Sequence, residues 1–401
     1  MIRGKDIVVV GLQPWDIEIG SNCKDVAIEF SKNNRVLYVN PPLDVNTMLL
    51  HRNRLAVKKR LAIRQTGDNL VKVAPNIWNL YPSRSIYSIN WIPSHSVFNF
   101  FNKWNNRKFA ADIKYAMAKI GFGDFILFND CDMLRSFYLI DLLKPALSIY
   151  YYRDHLMAVP YWYKHGHVFE PQLINKSTLV CVNSEYLLSI AKRYNTHTFN
   201  VGSGCDLTLF NADMPFDVPH DMAGIKGPII GYIGAIISYR LDLKLLEELC
   251  RRRKEWSFVF VGKTDQDFNE SKLMDLPNCH FLGLKQEDEL PAYLYRFDVA
   301  MNPQKINEMT VGNYPRKIDE YLSMGKATVA TDTIFMREVF SEYVYLGKTE
   351  TDYEELIIKA LREDGPELKE KRIRFAQTHS WENHAESIYQ AIEKVRPGWN
   401  T

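Results

Sequence analysis

The stretch from Gly312 to Thr331 constrains the fold most, because it predicts a helix followed at once by a short buried strand. Asn313 suits the N-cap, Pro315 occupies a position where a missing N–H costs nothing, and Gly325 suits the residue just past the helix end. The apolar residues of this helix fall on one face, at Ile318, Tyr321 and Leu322. A helix that leads straight into a buried strand is typical of an α/β domain.

The start of this helix has the chemistry of an anion-binding site. The N–H groups of residues 313–316 lie at the positive end of the helix dipole, and Arg316 and Lys317 add two positive charges beside them. Glu320, deeper in the helix, is placed to accept hydrogen bonds from a neutral diol such as a ribose. This combination indicates a nucleoside diphosphate. The alternative is an ordinary helix–strand unit with a solvated pair between Lys317 and Glu320.

The same stretch resembles the donor-site helix of GT-B retaining glycosyltransferases, family-4-like, of the bacterial surface-polysaccharide type. The family motif runs roughly E-G-F-P-x-x-x-x-E-A-x-A-x-G-K-P-V-V, and the matching positions are Tyr314-Pro315, Glu320, Gly325-Lys326 and Val329. In that family the second Glu of an E-x7-E pair holds the donor ribose, a role that the resemblance assigns to Glu320. The first Glu is replaced here by Gly312. Its contact with the sugar or phosphate is therefore made by Asn307 or Glu308, or it is not made in this chain.

The resemblance also implies the fold and its division into domains. The expected architecture is α/β of the GT-B type, with two Rossmann-like domains facing across a cleft and a C-terminal helix crossing back to the first. Residues 1–212 are expected to form the acceptor domain, 213–226 a linker, and 227–379 the nucleotide-sugar domain. Residues 380–401 are expected to form the returning helix. The 401 residues suit two domains of roughly 150–200 each.

Basic residues after the first two strands of the second domain grip the donor diphosphate in the resembled family. Arg240 and Lys263 are the corresponding positions here, and each has the alternative of being a plain surface cation. In that family the base of the nucleotide contacts main-chain groups at the end of the next strand. The predicted donor-binding residues are Arg240, Lys263, Leu282, Gly283, Leu284, Asn313, Tyr314, Arg316, Lys317 and Glu320.

A polar cluster ends the predicted strand at residues 147–152, the end at which α/β sites are built. The resembled family often carries a His-Asp pair near the transferred sugar at this place. The candidate catalytic residues are therefore Asp154 and His155, with Arg153 beside them. A structural role for His155 is the alternative.

The loop after the first predicted strand faces the acceptor in the resembled family. Its candidate acceptor-binding residues are Trp15, Asp16, Gly20 and Ser21. For each of them, a place in a purely structural turn is the alternative.

No metal or cofactor is predicted. Asp130-Cys131-Asp132 has the D-x-D form of the metal motif in the other large glycosyltransferase fold, but it ends a strand here without the rest of that context. The six cysteines are scattered without a C-x-x-C pair, which favours a reduced cytosolic chain over a zinc site. The first residues lead directly into a predicted strand, so we expect no signal peptide, and no apolar run approaches the length of a membrane span.

The charge is distributed unevenly along the chain. Residues 1–215 contain 25 Lys and Arg against 17 Asp and Glu, a net charge of +8, and the remainder has a net charge of −6. Residues 45–67 contain no acidic residue, and leucines, Val57 and Ile63 are interleaved there with six basic residues: Arg52, Arg54, Lys58, Lys59, Arg60 and Arg64. An aromatic-rich stretch follows at residues 87–104. This composition indicates docking on an anionic membrane surface, with a solvated basic helix and a core helix as alternatives.

These observations predict a retaining glycosyltransferase that moves a sugar from a UDP- or GDP-linked donor to a hydroxyl of a glycan or lipid-linked acceptor. The nucleotide sugar is expected as a substrate, and nucleic acid is not expected as a partner because no binding motif accompanies the basic run. The expected location is cytoplasmic, either free or peripheral on the inner face of the membrane. The alternatives are a sugar-nucleotide epimerase of the same fold and a non-catalytic protein that binds a nucleotide sugar or a membrane.

Overall fold

The computed structural model describes residues 2–16 and 20–399. The chain forms two compact units. Unit 1 comprises Met1–Gly202 with His384–Thr401, and unit 2 comprises Ser203–Asn383. Each unit is built on one β-sheet with helices packed against it. Each is described by itself below.

Unit 1 contains an eight-stranded sheet in the order β3-β4-β2-β1-β5-β6-β7-β8 within the described residues. All neighbouring strands are parallel except β3 and β4, which pair antiparallel at one edge. The strands are β1 (Asp6–Gly11), β2 (Arg35–Val39), β3 (Leu70–Ala74), β4 (Ile77–Leu80), β5 (Phe125–Asp130), β6 (Leu147–Tyr152), β7 (Leu179–Val182) and β8 (Thr198–Asn200). The order of the strands reverses between β1 and β5, which is where α/β sheets bind ligands.

Seven helices lie between these strands, and the last helix of the chain completes the unit. They are α1 (Asn22–Ser31), α2 (Val45–Leu50), α3 (Leu55–Thr66), α4 (His95–Ile120), α5 (Leu139–Leu143), α6 (Pro160–Lys176), α7 (Glu185–Ala191) and, at the C-terminal end, α15 (Trp381–Val395). The Tyr389 hydroxyl on α15 accepts a hydrogen bond from Asn34 Nδ2 at 3.1 Å, and its ring lies 5.7 Å from that of Phe30. These contacts confirm that the final helix returns to the first domain.

Unit 2 contains a six-stranded, fully parallel sheet in the order β11-β10-β9-β12-β13-β14 within the described residues. The strands are β9 (Ile229–Ile233), β10 (Ser257–Val261), β11 (Cys279–Gly283), β12 (Val299–Asn302), β13 (Ala327–Thr331) and β14 (Tyr345–Gly347). The helices are α8 (Leu243–Arg252), α9 (Gln266–Asn269), α10 (Leu290–Tyr295), α11 (Lys317–Ser323), α12 (Ile334–Phe340), α13 (Glu350–Glu363) and α14 (Pro366–Gln377). Here the order of the strands reverses between β9 and β12.

The central strands of unit 2 are apolar throughout because both faces of the sheet are covered. Alternate residues of β9 and β10 pack into two separate cores. Ile229, Ile233, Val259 and Val261 join the core that contains α11, whereas Ile230, Tyr232, Phe258 and Phe260 join the core that contains α8 and α13. Two units of this kind confirm the predicted α/β class with parallel sheets. No helix among residues 2–16 and 20–399 is long and apolar enough to cross a membrane.

Candidate functional site

Three neighbouring strands of unit 2 end in glycines that lie side by side, and we call this feature the glycine edge. It comprises Gly234 after β9, Gly262 after β10 and Gly283 at the end of β11. Gly262 has φ +149°, and its N–H donates to the Gly283 carbonyl at 2.9 Å. A Cβ at Gly262 would lie 1.8 Å from the Gly234 carbonyl oxygen, so only glycine fits there. The ends of β9 and β10 are therefore packed backbone against backbone at this edge.

Basic residues follow three of the strands at this end of the sheet. Arg240 follows β9, Lys263 follows β10, and Lys305 follows β12. None of these three cations forms an ion pair within the part of the chain that the structure describes. The Lys305 N–H donates to the Arg240 carbonyl at 2.8 Å, which joins the two loops where the strand order reverses. Cations that lack counter-ions at the carboxyl end of a parallel sheet favour the binding of an anion such as a diphosphate.

Lys317, the first residue of α11, also reaches this place. Its Nζ donates to the Tyr232 hydroxyl at 2.5 Å and lies 4.1 Å from the centre of that ring. The same Nζ is 2.7 Å from the position that a Cβ on Gly234 would occupy. The predicted donor residue Lys317 therefore lies directly against the glycine edge.

Glu320 forms an ion pair one turn further along α11. Its Oε1 accepts from Arg316 Nε at 3.1 Å, and a second nitrogen of Arg316 lies 3.6 Å from a carboxylate oxygen of Glu287. Burial raises the pKa of the Glu320 carboxyl, although Arg316 and Lys317 favour its charged form. The Glu320 side chain keeps 13% of its surface exposed. Arg316 holds it in one orientation.

The start of α11 differs from the prediction. The helix begins at Lys317 with Arg316 as N-cap, and Asn313 is not the cap. The N–H of Asn313 donates to Thr310, and that of Arg316 donates to Tyr314, so these two groups are engaged within turns rather than directed at a ligand. The predicted end is confirmed: Gly325 has φ +69°, and Lys326 N–H donates to the Tyr321 carbonyl.

The predicted donor residue Tyr314 has its side chain in the core of unit 2. Its hydroxyl donates to Asp319 Oδ2 at 2.6 Å, and the second oxygen of Asp319 lies 2.7 Å from His379 Nδ1. The Tyr314 ring packs against Phe335 and Phe340. This network fixes the turn that precedes α11.

The remaining predicted donor residues differ in how their side chains are placed. Leu282 packs against the core of unit 2, whereas the side chain of Leu284 is 51% exposed just beyond the glycine edge. Asn313 is half-buried.

Of the two residues considered as replacements for the missing first Glu, Asn307 is engaged in its own loop. Its Oδ1 accepts from the N–H groups of Met309 and Thr310, and its Nδ2 donates to the Tyr239 carbonyl at 2.7 Å. Glu308 is exposed, and its carboxylate has no partner within residues 2–16 and 20–399. Glu308 is therefore the carboxylate of this loop that remains available to a ligand.

In unit 1, Arg153 is enclosed by carboxylates. Its Nε and Nη2 donate to the two oxygens of Asp130 at 2.6 and 3.1 Å, and its Nη1 donates to Asp154 at 2.5 Å. Burial alone would lower the pKa of Arg153, but Asp130 and Asp154 outweigh it and raise the pKa well above its ordinary value. Arg153 therefore orients Asp154, which keeps 31% of its side chain exposed.

His155 also has a defined orientation. Its Nδ1 lies 2.9 Å from the Tyr152 hydroxyl, and its ring packs edge-on against that of Tyr186 with 5.7 Å between the ring centres. The structure thus brings Arg153, Asp154 and His155 together at the carboxyl end of β6.

The predicted acceptor residues make contacts within their own loop and its neighbours. Ser21 caps α1 and donates to Gln13 at 2.8 Å. Asp16 lies 3.3 Å from Arg60 and 3.7 Å from Lys59. The Trp15 ring packs edge-on against Tyr38, Lys24 Nζ lies over it, and Gly20 is half-buried.

The two carboxylates of the D-x-D sequence are each paired with an arginine. Asp130 binds Arg153, and Asp132 accepts from Arg135 Nε at 3.0 Å. Burial raises the pKa of Asp132, although Arg135 opposes this. Both aspartates thus contribute to the internal ion pairs of unit 1.

The basic segment forms a surface that we call the α2–α3 surface, with Leu49, Leu50 and Leu55 at its outside. These three leucines are 72%, 76% and 77% exposed. A groove of about 630 Å³ between the two helices is lined by Met48, Leu49, Arg52, Lys58, Leu61 and Arg64, among others. Arg52 and Lys58 form no ion pair in the described part of the chain. Adjacent exposed leucines beside free cations mark an interaction surface.

Sequence reasoning missed several residues of both sites. Lys305 follows Asn302 at the end of β12, so the rule that sites lie at strand ends was sufficient to find it. Gly234 and Gly262 each follow an apolar strand run and gave the same signal. The pairing of Asp130 with Arg153 had no signal in the sequence, because it depends on which strands are neighbours.

Residues 227–363 match the family model described as Glycosyl transferases group 1. TuaH of Bacillus subtilis (strain 168), named as a teichuronic acid biosynthesis glycosyltransferase, is 29% identical to this chain over 224 residues. That alignment covers 53% of this chain and 56% of TuaH, so the chain spans just over half the length of this relative.

Solved structures resemble the chain over nearly its whole length. Sucrose-phosphate synthase from Thermosynechococcus elongatus superposes with a TM-score of 0.69 at 14% identity, covering 98% of this chain and 99% of that one. Anabaena HepE in complex with UDP and glucose gives 0.65 at 14% identity, covering 97% and 100%. An Escherichia coli protein bound with UDP-2-fluoro glucose gives 0.66 at 10% identity, covering 98% and 99%. These likenesses confirm the GT-B fold.

Proposed function

We propose that this chain is a retaining glycosyltransferase that moves a sugar from a UDP- or GDP-linked donor to a hydroxyl of a glycan or lipid-linked acceptor. One observation carries the proposal. Three neighbouring strands of unit 2 end at the glycine edge, and the segments that follow β9, β10 and β12 carry Arg240, Lys263 and Lys305, none of which has a counter-ion in the described chain. A diphosphate supplies the missing negative charge.

In the proposed reaction, the bond between the anomeric carbon of the donor sugar and the diphosphate oxygen breaks, and the electron pair stays on the diphosphate. The acceptor oxygen bonds to the same face of that carbon, and its proton passes to the leaving diphosphate. The products are a glycoside of unchanged anomeric configuration and a nucleoside diphosphate. Arg240, Lys263 and Lys317 stabilise the charge that grows on the leaving group.

Glu320 holds the ribose of the donor in this proposal. Its carboxylate is oriented by Arg316 at 3.1 Å, and a carboxylate has enough lone pairs to accept from two neighbouring hydroxyls as well. In unit 1, Asp154 and His155 are the candidates for contact with the transferred sugar, because Arg153 and Tyr152 fix their orientations.

The proposed nucleotide of the donor and the proposed class of product are inferred from the relatives. The HepE and Escherichia coli structures contain UDP with glucose and UDP-2-fluoro glucose, which supports a UDP-linked donor. The name of TuaH refers to teichuronic acid biosynthesis, which supports a role in building a surface polysaccharide.

An acceptor of that kind is consistent with a protein that docks on a membrane. The α2–α3 surface places exposed leucines beside Arg52, Arg54 and Lys58, and an anionic lipid surface satisfies both at once. We therefore propose that the chain is peripheral on an anionic membrane, with unit 1 as the docking unit.

Thermal unfolding with UDP, GDP, ADP, CMP and NAD tests the donor site. Saturation at about 100 times Kd adds roughly 2.7 kcal/mol of stability, which raises Tm by several degrees. We expect this rise with UDP or GDP, and we expect Lys263→Ala to reduce it. Lys359→Ala removes an exposed cation of α13 and serves as the matched control. Equal responses of the two variants, or no response of the unmodified chain to any nucleotide, would contradict the proposal.

A further inference from the structure

Unit 1 contains a cavity of about 510 Å³ at the carboxyl edge of its sheet. Leu12, just after β1, and Arg135, in the segment after β5, both line it, so it lies where the strand order of unit 1 reverses. Ligands of α/β sheets bind at such places, and a volume of this size holds a small ligand. The predicted acceptor-binding residues Trp15, Asp16, Gly20 and Ser21 are not among the residues that line it.

Two aromatic rings at this cavity are exposed. Trp91 is 72% exposed and Tyr161 is 58% exposed, and both line the cavity. Trp91 is nevertheless held in place, because its Nε1 donates to the Ser88 carbonyl at 2.9 Å and its own carbonyl accepts from Lys164 Nζ at 2.8 Å. An exposed but fixed aromatic face is a surface for stacking, and it loses little conformational entropy when a ring binds it.

The walls of the cavity are polar. Burial alone would raise the pKa of Asp44, but hydrogen bonds from Ser88 and Thr47 outweigh it and hold the pKa below its usual value, so the group is an acceptor at neutral pH. Asn90 Nδ2 donates to the Tyr161 carbonyl at 2.9 Å. Asn90 Oδ1 is buried and has no hydrogen-bond partner among the residues that the structure describes. An unpaired buried acceptor destabilises the folded state unless a ligand supplies a donor.

The charges at the cavity argue against an anion and against a lipid tail. Asp44 is negative, and the charge of Arg135 is met by Asp132 at 3.0 Å, so no free cation remains among these groups for a phosphate. A hydrocarbon chain would exclude water from the charged Asp44 carboxylate and would leave Asn90 Oδ1 without a hydrogen-bond donor. A pyranose has C–H groups on its faces and hydroxyls at its rim, and it matches both the aromatic rings and the polar walls.

We propose that this cavity binds an uncharged pyranose ring, with Trp91 and Tyr161 stacking on its faces and Asp44 and Asn90 accepting from its hydroxyls. That this sugar is part of the glycosyl acceptor rests on the proposed function. The binding itself does not, because it follows from the cavity alone.

Saturation-transfer NMR tests the binding, with the methyl pyranosides of glucose, galactose, N-acetylglucosamine and N-acetylgalactosamine as probes. We expect at least one of them to receive saturation from the protein. Trp91→Ala and Tyr161→Ala should each lower the affinity about tenfold, which corresponds to a lost contact of about 1.4 kcal/mol. Tyr115→Ala is the matched control, because Tyr115 is 55% exposed on α4 and does not line the cavity.

The outcomes separate this inference from the proposed function. Both variants remove exposed rings, so we expect them to keep the Tm of the unmodified chain and its response to UDP or GDP. If no pyranoside binds, or if the two variants bind as Tyr115→Ala does, the inference is overturned whatever the nucleotides do. If a pyranoside binds through Trp91 and Tyr161 while no nucleotide raises Tm, the cavity assignment stands and the transferase assignment fails.

Discussion

Gly262 and Gly234 approach so closely that a methyl group on Gly262 would overlap the carbonyl oxygen of Gly234. The contact joins the ends of two adjacent strands of unit 2, β9 and β10. Lys317 Nζ packs against Gly234 at the same place. The backbone at this edge is therefore held by a contact that tolerates no side chain.

Gly262→Ala should abolish the response to the nucleotide. The added Cβ forces the two strand ends apart, and the positive φ adds strain of about 1–3 kcal/mol. We expect a lower Tm and no further rise with UDP or GDP. The matched control is Gly224→Ala, since a Cβ at Gly224 meets open space. Normal nucleotide binding by Gly262→Ala would show that the glycine edge does not contact the donor.

Glu320→Gln tests the ribose contact. The substitution keeps the shape of the side chain but removes the charge that strengthens its hydrogen bonds, so we expect donor KM to rise about 10- to 100-fold. Initial rates at varied UDP-sugar concentration measure this. Glu308→Gln changes the exposed carboxylate of the preceding loop and serves as the comparison. If Glu308 contacts the sugar rather than the ribose, this variant should change kcat and leave the nucleotide affinity unaltered. Unchanged kinetics of Glu320→Gln would rule out its assignment.

Glu170 predicts a dependence of stability on pH. Its carboxyl accepts from the Tyr150 hydroxyl at 2.7 Å, and burial raises its pKa to about 7. Because the folded state holds this proton more tightly than the unfolded state, its contribution is complete below about pH 4.5. It is lost as pH rises to about 7, at a total cost of about 3 kcal/mol.

Glu170→Gln removes this proton equilibrium. The stability of the variant relative to the unmodified chain should therefore increase between pH 5 and pH 8, as measured by urea unfolding. Asp124→Asn, a change at an exposed acid of unit 1, should give the same difference at both pH values. An equal pH response of Glu170→Gln and the unmodified chain would contradict the assignment of the titration to Glu170.

Arg153 and Asp130 should prove strongly coupled. Arg153→Ala leaves the carboxylate of Asp130, which has no exposed surface, without its cation, so we expect a loss of about 3–5 kcal/mol of stability. Removing both partners should cost less than the sum of the two single changes. A double-mutant cycle by urea unfolding measures the difference, and additive effects would argue against this pairing.

Leu49→Asn combined with Leu50→Asn tests the α2–α3 surface. The unmodified chain should sediment with vesicles that contain phosphatidylglycerol and should dissociate as salt rises, because about 1 kcal/mol per basic residue is electrostatic. The double variant should lose most of this binding. Ile334→Asn, which changes a residue of unit 2 that is 58% exposed, should retain it. If the unmodified chain bound equally well to vesicles of phosphatidylcholine alone, the proposed electrostatic contribution to membrane binding would be contradicted.

The strands were predictable because both faces of each sheet are covered, which leaves uninterrupted apolar runs such as Ile7–Val10. The end of α11 was predictable because Gly325 marks it locally. Its beginning was not, because Asp319 anchors Tyr314 and is itself held by His379, which lies 60 residues further along. The pairing of Arg153 with Asp130 was equally unpredictable from the sequence, because it depends on β5 and β6 being neighbours in the sheet.

The link from Tyr314 through Asp319 to His379 has a consequence for protein engineering. If residues 312–331 bind the donor as proposed, they form the segment that a chimera would exchange to alter the choice of donor. Asp319 is completely buried, so a transplanted segment that arrived without a histidine at position 379 would bury a carboxylate with half of its partners missing. The transferable module is therefore discontinuous, and donor preference in this fold should be exchanged as two segments of sequence rather than one.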